Sequence, residues 1–367
     1  MLVLGAVLAS SASGADRLTM VLRASGPAAV DRPWSATLLV RRGGSPVAHG
    51  RPVVTARLGT TRISSKARRV ARGRYRITLR FPRLGRWRLT ARVGRAGRQL
   101  GAVVVGAGPL DVREPFGLAA EPAGTLLVAD GQRNRIARLD PVSGRITSVH
   151  GDLGRPLELA LGPDGSIYVV AALRVHRIGP GGDVTVVAGN GASGYSGDGG
   201  PAVQAALDLP TSIDVDAAGN VFIAEYGSRV RRVDGATGTI STVIPTGLDR
   251  PHGVAVAADG TIYVSDTYSG SLKRLRPGAS LETLAAGLAQ PIGIEVASDG
   301  AVLVAELFGG SIARVSSSGQ VSRIAHGLTQ PTAVTEGTGG TVYVAALGGG
   351  VRVGRVNPSG AVTPIAR

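Results

Sequence analysis

Six copies of one short pattern constrain the fold of this 367-residue chain more than any other feature of the sequence. Each copy starts with proline and places Asp-Gly, or a similar pair, between two apolar runs, as in PHGVAVAADGTIYVSD from Pro251. Asp-Gly between such runs is a strong signal for a β-hairpin turn. The copies start at Pro115, Pro156, Pro210, Pro251, Pro291 and Pro331. The pattern therefore predicts a series of similar β-sheets.

The number and length of the repeats predict how these sheets are arranged. Each unit offers four short strands, and a single sheet of that size cannot bury both of its faces. Six sheets arranged radially bury their faces against one another, and ring closure protects the edge strands. We therefore predict an all-β fold, with a six-bladed β-propeller in residues 109–367. All four strands of the last unit come from the C-terminal end, although Leu110 to Val112 could add another.

The units resemble NHL repeats, and the resemblance covers essentially all of residues 110–367. Its most specific segment is AGNGASGYSGDGGPAVQAALDLP, residues 188–210, which is similar to a connection found in many bacterial NHL proteins. This insertion makes one spacing between repeats 54 residues, whereas the others are 40 or 41 residues. We hypothesise that this propeller presents a rigid surface to a protein, glycan or small ligand.

The positive charge of the chain is concentrated before the repeats. Residues 16–108 contain 21 basic and two acidic side chains, whereas residues 109–367 contain 20 basic and 23 acidic ones. So uneven a distribution indicates a polyanionic partner for the N-terminal segment. The segment shows short strands separated by polar turns and no helical period, which predicts a separate all-β domain.

Two arginine-rich strands carry much of this charge. In RYRITLRF and RWRLTARV, within residues 73–95, arginine or threonine alternates with apolar side chains. A period of two places each set on one face of a strand, and the segment from Pro82 to Gly85 suits a hairpin turn. We therefore predict one hairpin whose outer face presents Arg74, Arg76, Arg80, Arg86, Arg88 and Arg92.

Two interpretations fit this arginine face. It is either a solvated surface that resists aggregation or a docking surface for an anionic envelope polymer or another polyanion. Arginine suits phosphate and carboxylate groups because its planar guanidinium donates two hydrogen bonds at once. The segment offers neither an aromatic platform nor a recognition helix, so sequence-specific nucleic-acid binding is not expected.

The pattern GxYxxxLxFxxxGxWxLxxxV, which starts at Gly73, resembles the YtkA-like domains of bacterial envelope proteins. The resemblance implies an immunoglobulin-like β-sandwich over residues 16–108, with no catalytic residue. Residues 1–15 are predicted to be a signal peptide or its remnant, because an apolar run is followed by small residues. Together these features predict a bacterial protein that is secreted or associated with the cell envelope.

Acidic residues at equivalent repeat positions are candidates for a metal site. A carboxylate ends the second strand of four units, and four such groups could form a ring around the central channel. Calcium or zinc in the channel would need ligands of this kind. The alternative is that each acid stabilises the turn that follows it, as NHL repeats commonly show. The four residues are Asp130, Glu225, Asp266 and Glu306.

His252 is the one histidine at the repeat position that follows the leading proline. Peptidyl-hydroxyglycine lyases are similar propellers, and they hold zinc through histidines near this position in several blades. One histidine does not make a zinc site, which normally takes three protein ligands. Glu158 is expected to face the same mouth of the propeller, so these two residues would be the catalytic pair of an enzyme.

Two functions from different classes therefore fit the sequence. The first is an exported, monomeric binding protein without catalytic activity. The second is a metal-dependent propeller enzyme, a lyase or lactonase, with its site at the mouth of the central channel. Streptogramin lyases and gluconolactonases are propellers of this general kind, but the paired catalytic histidine typical of those lyases is missing here.

Overall fold

A computed structural model describes residues 18–24, 28–29, 33–42, 45–47, 51–58, 61–80, 85–93, 96–106 and 112–366. The chain forms two compact units, Met1–Leu110 and Asp111–Arg367. Within the described ranges strands predominate, and the helices are two short 3-10 turns, which confirms the predicted all-β class. No helix in these ranges is long and apolar enough to cross a bilayer.

The first unit consists of two five-stranded sheets. Its described strands are β1 (Leu18–Ala24), β2 (Ala28–Ala29), β3 (Pro33–Arg42), β4 (Ser45–Pro46), β5 (Val53–Leu58), β6 (Thr61–Lys66), β7 (Arg68–Ala71), β8 (Arg74–Arg80), β9 (Gly85–Val93) and β10 (Ala96–Gly106). The first sheet has the order β1-β3-β8-β7, with β4 paired to β3. The second sheet has the order β2-β10-β9-β5-β6.

The two sheets enclose a common apolar core. Along β8 burial alternates, so that Tyr75, Ile77 and Leu79 are buried and the residues between them are exposed. Leu89 and Ala91 of β9 belong to the same core. The sheets therefore pack face to face, and the alternation predicted for these two strands is confirmed.

The predicted hairpin between β8 and β9 is wrong. β8 pairs with β3 and β7 in the first sheet, whereas β9 pairs with β5 and β10 in the second. Alternation gives each strand one apolar face, but it does not determine which strands are neighbours. Residues 81–84, at the predicted turn, lie outside the described residues, as does the side chain of Arg86. The arginine face is therefore divided between opposite sides of the core: Arg74, Arg76 and Arg80 are exposed on the first sheet, and Arg88 and Arg92 on the second.

Residues 112–366 form six four-stranded antiparallel sheets, which we number repeat sheets 1 to 6 in chain order. Repeat sheets 1 to 3 contain β11 (Pro115–Ala120), β12 (Leu126–Asp130), β13 (Arg135–Leu139), β14 (Ile146–Gly151), β15 (Pro156–Leu161), β16 (Ile167–Ala171), β17 (Arg174–Ile178), β18 (Val184–Ala188), β19 (Pro210–Val215), β20 (Val221–Glu225), β21 (Arg229–Val233) and β22 (Ile240–Ile244). Repeat sheets 4 to 6 contain β23 (Pro251–Val256), β24 (Ile262–Asp266), β25 (Ser271–Leu275), β26 (Glu282–Ala286), β27 (Pro291–Val296), β28 (Val302–Glu306), β29 (Ser311–Val315), β30 (Val321–Ala325), β31 (Pro331–Gly337), β32 (Thr341–Ala346), β33 (Val353–Val356) and β34 (Val362–Ala366). The 3-10 turns are Ala202–Gln204 and Thr338–Gly340.

The repeat sheets form a closed ring in which the first strand of each sheet contacts the first strand of the next. Repeat sheet 6 closes onto repeat sheet 1, because the Thr332 hydroxyl donates a 2.6 Å hydrogen bond to the Pro115 carbonyl. All four strands of repeat sheet 6 follow the last leading proline, as predicted. Val112 adds no strand and is instead buried in a core with Ala333 and Ala366 of repeat sheet 6.

The second strand is buried on both faces in five of the six repeat sheets. All five residues of β12 are buried, and β16, β20, β24 and β28 show the same pattern. Neighbouring sheets cover one another, since Leu127 and Ile136 of repeat sheet 1 share a core with Leu159 and Val169 of repeat sheet 2. A polar side chain at the end of such a strand must therefore find partners inside the protein.

Candidate functional site

The six first strands enclose a channel that contains a cavity of about 280 Å³. Residues from all six strands line this cavity, and no basic side chain is among the described lining residues. Four acidic residues line the cavity, namely Glu158, Asp214, Glu295 and Glu336. Asp214 and Glu295 occupy the same repeat position, the fifth residue of the first strand, whereas Glu158 is the third residue of its strand. We call Glu158, Asp214 and Glu295 the channel acids, whereas the Glu336 carboxylate accepts a 2.6 Å hydrogen bond from the backbone N–H of Ser298.

All three channel acids join neighbouring repeat sheets, and the carboxyl group of Glu158 accepts a hydrogen bond from the backbone N–H of Leu118 in repeat sheet 1. Asp214 Oδ2 accepts a 2.7 Å hydrogen bond from the backbone N–H of Val256 in repeat sheet 4. Glu295 Oε1 accepts a 2.7 Å hydrogen bond from the backbone N–H of Glu336 in repeat sheet 6. The inner edge of a first strand has no neighbouring strand, so its N–H groups need other acceptors. These carboxyl groups therefore hold the inner edges of the ring together.

The channel acids are weaker acids than exposed carboxyl groups. Burial raises the pKa of Glu158 to about 8, even though the backbone N–H of Leu159 donates a 3.1 Å hydrogen bond to it. Burial also raises the pKa of Glu295 to about 7 and that of Asp214 to about 6. Repulsion from other acidic groups adds to each shift. At neutral pH Glu158 therefore keeps its proton, which limits the negative charge inside the channel.

His252 is the second residue of β23, near the end of the channel where the first strands begin. Burial lowers the pKa of its imidazole to about 4, so the ring is neutral at physiological pH. Glu158 lines the channel cavity, whereas His252 does not. The structure thus places the two candidate catalytic residues in repeat sheets 2 and 4, and it does not bring them together at this cavity.

The four acids that end second strands do not form a ring around the channel, because the second strand is not the innermost strand of its sheet. Glu306 accepts hydrogen bonds from the backbone N–H of Ala289 at 2.9 Å, from Arg323 Nε at 2.8 Å and from the Ser311 hydroxyl at 2.6 Å. The other three acids likewise bind the backbone segment that precedes their own first strand. They are Asp130, Glu225 and Asp266. Each acid therefore fixes the connection into its own sheet, and we call these four residues the repeat acids.

Neither set of acids fits a calcium or zinc ion. In the part of the chain that the structure describes, no group of three His, Cys, Asp or Glu side chains is arranged to hold a metal ion. Protein sites for calcium use six to eight oxygen ligands, and catalytic zinc normally has three protein ligands. Asp198, in the insertion of residues 188–210, is also engaged within the protein. Its carboxylate accepts a 2.6 Å hydrogen bond from Arg231 and another of 2.6 Å from the Thr242 hydroxyl.

An aromatic and cationic cluster lies at the mouth of the ring, the end at which the first strands begin. Tyr226 and Tyr268 follow the second strands of repeat sheets 3 and 4, and their rings meet edge to face with centroids 6.2 Å apart. The Tyr226 hydroxyl donates a 3.2 Å hydrogen bond to the Tyr268 hydroxyl. The guanidinium of Arg250 lies over both rings, 4.5 Å from the Tyr268 centroid and 5.7 Å from the Tyr226 centroid. We call these three residues the tyrosine–arginine cluster.

The tyrosine–arginine cluster is accessible, and Arg250 shares a left-handed backbone conformation with the residues before three other leading prolines. Tyr268 is 50% exposed, and Phe308, in the corresponding turn of repeat sheet 5, is 70% exposed. Arg250 has a φ of 52°, a left-handed conformation that is costly for a residue with a side chain. Hydrogen bonds with Tyr226 and Arg250 lower the pKa of the Tyr268 phenol. The cluster is therefore an exposed polar and aromatic surface whose members hold one another in place.

The sequence contained a signal for this cluster that the repeat pattern alone did not reveal. Tyr226 and Tyr268 stand one and two residues after the repeat acid, and Arg250 directly precedes a leading proline. In a closed ring these two kinds of connection meet at the same end, where the Tyr268 N–H donates a 3.2 Å hydrogen bond to the Asp249 carbonyl. A search for aromatic and basic residues at both connections would have found the cluster.

The chain matches the family model of the NHL repeat over residues 248–275. This segment contains the first three strands of repeat sheet 4, together with Arg250 and Tyr268. No curated protein sequence matches the chain.

Several solved structures of β-propeller proteins are similar to the chain. Virginiamycin B lyase from Staphylococcus aureus has a TM-score of 0.51 and 20% identity, over 68% of this chain and 83% of that one. A gluconolactonase from Xanthomonas campestris has a TM-score of 0.54 and 18% identity, over 65% of this chain and 85% of that one. A protein of unknown function from Bacteroides thetaiotaomicron has a TM-score of 0.53 and 13% identity, over 90% and 97%. Identities this low show a shared fold alone, so this chain is a β-propeller protein in which one segment, residues 248–275, matches the model of the NHL repeat.

Proposed function

We propose that this protein is an exported, monomeric binding protein rather than an enzyme. Its six repeat sheets are the blades of an NHL-type propeller, and its first unit is an immunoglobulin-like β-sandwich. The propeller binds a protein, glycan or small ligand at its mouth, and the arginine-rich first unit contacts an anionic polymer of the cell envelope. The observation that carries the proposal is the exposed tyrosine–arginine cluster.

The chemistry of the cluster supports a binding role. Tyrosine and arginine are among the residues that most often dominate the binding energy of an interface. Their rings and planar groups offer large contact areas, and the hydroxyl and guanidinium groups donate hydrogen bonds at the edges. Mutual contacts already order Tyr226, Tyr268 and Arg250, which lowers the entropic cost of binding. A ligand with an acidic group beside an apolar or ring-shaped surface fits this arrangement.

The channel supports a structural role instead of a catalytic one. Asp214 and Glu295 are engaged by backbone N–H groups of neighbouring repeat sheets. The alternative function is a metal-dependent lyase or lactonase that uses His252 and Glu158. The described residues offer no metal ligand set for such an enzyme. Of its two candidate residues, Glu158 lines the channel cavity and His252 does not.

Thermal unfolding of the full chain with a panel of acidic sugars and aromatic carboxylic acids tests this proposal. A mouth ligand at 100 times its Kd stabilises the folded state by about 2.7 kcal/mol, which is visible as a higher Tm. Tyr268→Ala and Arg250→Gln should abolish that shift. Arg145→Gln, which removes an exposed arginine from a turn of repeat sheet 1, should preserve it.

Two results would oppose the proposal. If the stabilising compound is converted to a product, as shown by mass spectrometry, the enzymatic alternative is correct. If the Tm shift survives in Tyr268→Ala and Arg250→Gln, the ligand binds somewhere other than the mouth.

A further inference from the structure

The second sheet of the first unit arranges its outward side chains in straight rows across three strands. Arg57 of β5 lies directly opposite Arg62 of β6 on one side and Arg88 of β9 on the other. Two residues further along, Thr55 lies directly opposite Ser64 and Thr90. We call the first set the cation row (Arg62, Arg57, Arg88) and the second set the hydroxyl row (Ser64, Thr55, Thr90).

The cation row is exposed and has no internal counter-charge. All three of its arginines are exposed, and within the part of the chain that the structure describes none of them forms an ion pair or hydrogen bond. The only acids of residues 16–108 are Asp16 and Asp31, and both lie outside the described residues. Like charges directly opposite one another destabilise a sheet by some tenths of a kcal/mol per pair. A bound anion would remove this repulsion.

The spacing of the rows suits an extended polymer. Neighbouring strands lie about 4.8 Å apart, so the three arginines span about 10 Å across the sheet. The hydroxyl row runs parallel to the cation row at about 7 Å, the rise of two residues. Arg92 and Lys66 flank the hydroxyl row on its other side, in register with Val53. The face therefore alternates positive charge with hydroxyl groups.

The first sheet carries arginine as well, but in a different arrangement. Arg76 lies opposite Arg68 on one side and opposite Thr37 on the other, so only two cations are adjacent. Arg74 lies opposite Leu39 and Ala71. Among the described residues of the first unit, three directly opposed arginines beside a row of hydroxyl groups thus occur only in the second sheet.

We infer that the outer face of the second sheet binds an acidic polysaccharide that runs across the strands. Its carboxylate groups bind the guanidinium groups of the cation row, and its hydroxyl groups exchange hydrogen bonds with the hydroxyl row. The rows contain no aromatic side chain, so nucleic-acid bases find no stacking platform there. This inference rests on the proposed contact between the first unit and a polyanion, and it adds the face and the chemical class of the polymer.

Titration of the full chain with polygalacturonate at several salt concentrations tests the inference. The triple variant Arg57→Gln, Arg62→Gln, Arg88→Gln should bind about tenfold more weakly or worse, with a salt dependence reduced by about one counterion for each lost contact. The matched control is Arg68→Gln, Arg74→Gln, Arg76→Gln, which removes the same charge from the first sheet. It should lose much less affinity. Thermal unfolding verifies that both variants are folded.

A second comparison identifies the chemistry of the polymer. Thr55→Val with Thr90→Val keeps the charge and the β-propensity of the strands, so it should weaken binding of polygalacturonate severalfold and leave binding of polyphosphate unchanged. Equal losses in the two arginine variants would show that only net charge matters and would overturn the inference. Tighter binding of polyphosphate than of polygalacturonate would also overturn it.

The outcomes separate this inference from the proposed function. If the wild type binds neither polymer, the proposed contact with polyanions fails as a whole. If it binds polygalacturonate but the two triple variants behave alike, only the assignment to the second sheet fails. Ligand binding at the mouth is measured independently through Tyr268→Ala, and it should be intact in both triple variants.

Discussion

Glu295 Oε1 accepts a 2.7 Å hydrogen bond from the backbone N–H of Glu336, and this contact fastens repeat sheet 5 to repeat sheet 6 inside the channel. Asp214 makes the same kind of contact between repeat sheets 3 and 4. Thr335 joins repeat sheets 6 and 1, because its hydroxyl accepts a 3.2 Å hydrogen bond from the N–H of Ala120. Polar side chains of the inner strands thus replace the missing strand neighbour, so protonation of the channel acids is coupled to stability.

Replacement of Glu158 by glutamine should change the pH dependence of stability. Its pKa is about 8 in the folded protein, above the ordinary value near 4.5, so the folded state binds more protons than the unfolded state between these pH values. Stability contributed by this group is therefore full below about pH 4.5 and is lost as the pH rises towards 8. Glu158→Gln stays neutral, so it should be more stable than the wild type at pH 8 by roughly 1–3 kcal/mol.

Urea unfolding at pH 5, 6, 7 and 8 measures this difference. The two proteins should be similar at pH 5 and should diverge as the pH rises. Glu282→Gln is the control and should run parallel to the wild type, because the Glu282 carboxylate is exposed and pairs with Arg274 and Arg276. Parallel curves for Glu158→Gln and the wild type would show that Glu158 is ionised in the folded protein at neutral pH.

Removal of a repeat acid should be far more costly than removal of a surface acid. Glu306→Ala leaves the N–H of Ala289 and the hydroxyl of Ser311 without their acceptor, in a place that water does not reach. We expect a loss of roughly 2–3 kcal/mol in the free energy of unfolding. Chemical denaturation of Glu306→Ala and of Asp183→Ala, at an exposed turn position, provides the test, and the latter should unfold almost like the wild type. Similar losses for both variants would contradict the structural role of the repeat acids.

The sequence predicted the repeat sheets well because their determinants are local. Proline, two apolar strands and Asp-Gly recur within each unit, and the buried acid at the end of the second strand follows from the same pattern. The channel acids were harder to predict from the sequence, because the repeat position of Asp214 and Glu295 holds alanine or threonine in the other four sheets. The tyrosine–arginine cluster depends on ring closure, which brings the connections of different sheets together. Such contacts between distant residues have no signature in a single strand.

The division of β8 and β9 between two sheets can be tested with introduced cysteines. The chain contains no cysteine, so a pair of substitutions gives an unambiguous disulfide. Thr55→Cys with Thr90→Cys joins residues that lie directly opposite each other, which suits disulfide geometry. Thr78→Cys with Thr90→Cys joins outward residues of the two sheets and should give none. Mass spectrometry under oxidising conditions distinguishes these outcomes. A disulfide in the second pair alone would show that β8 and β9 form a hairpin after all.

At the residue before a leading proline, glycine should give a more stable protein than alanine. Gln330 is exposed and has a φ of 52°, while its carbonyl accepts a hydrogen bond from the N–H of Leu347. A Cβ atom makes this left-handed conformation costly, and neither substitution removes the backbone hydrogen bond. Gln330→Gly should therefore exceed Gln330→Ala in stability by about 1 kcal/mol. At Ser322, an exposed strand position, the order should reverse, because glycine loses more conformational entropy there. Thermal unfolding of the four variants decides the matter, and alanine equal to glycine at position 330 would show that the left-handed conformation carries no strain.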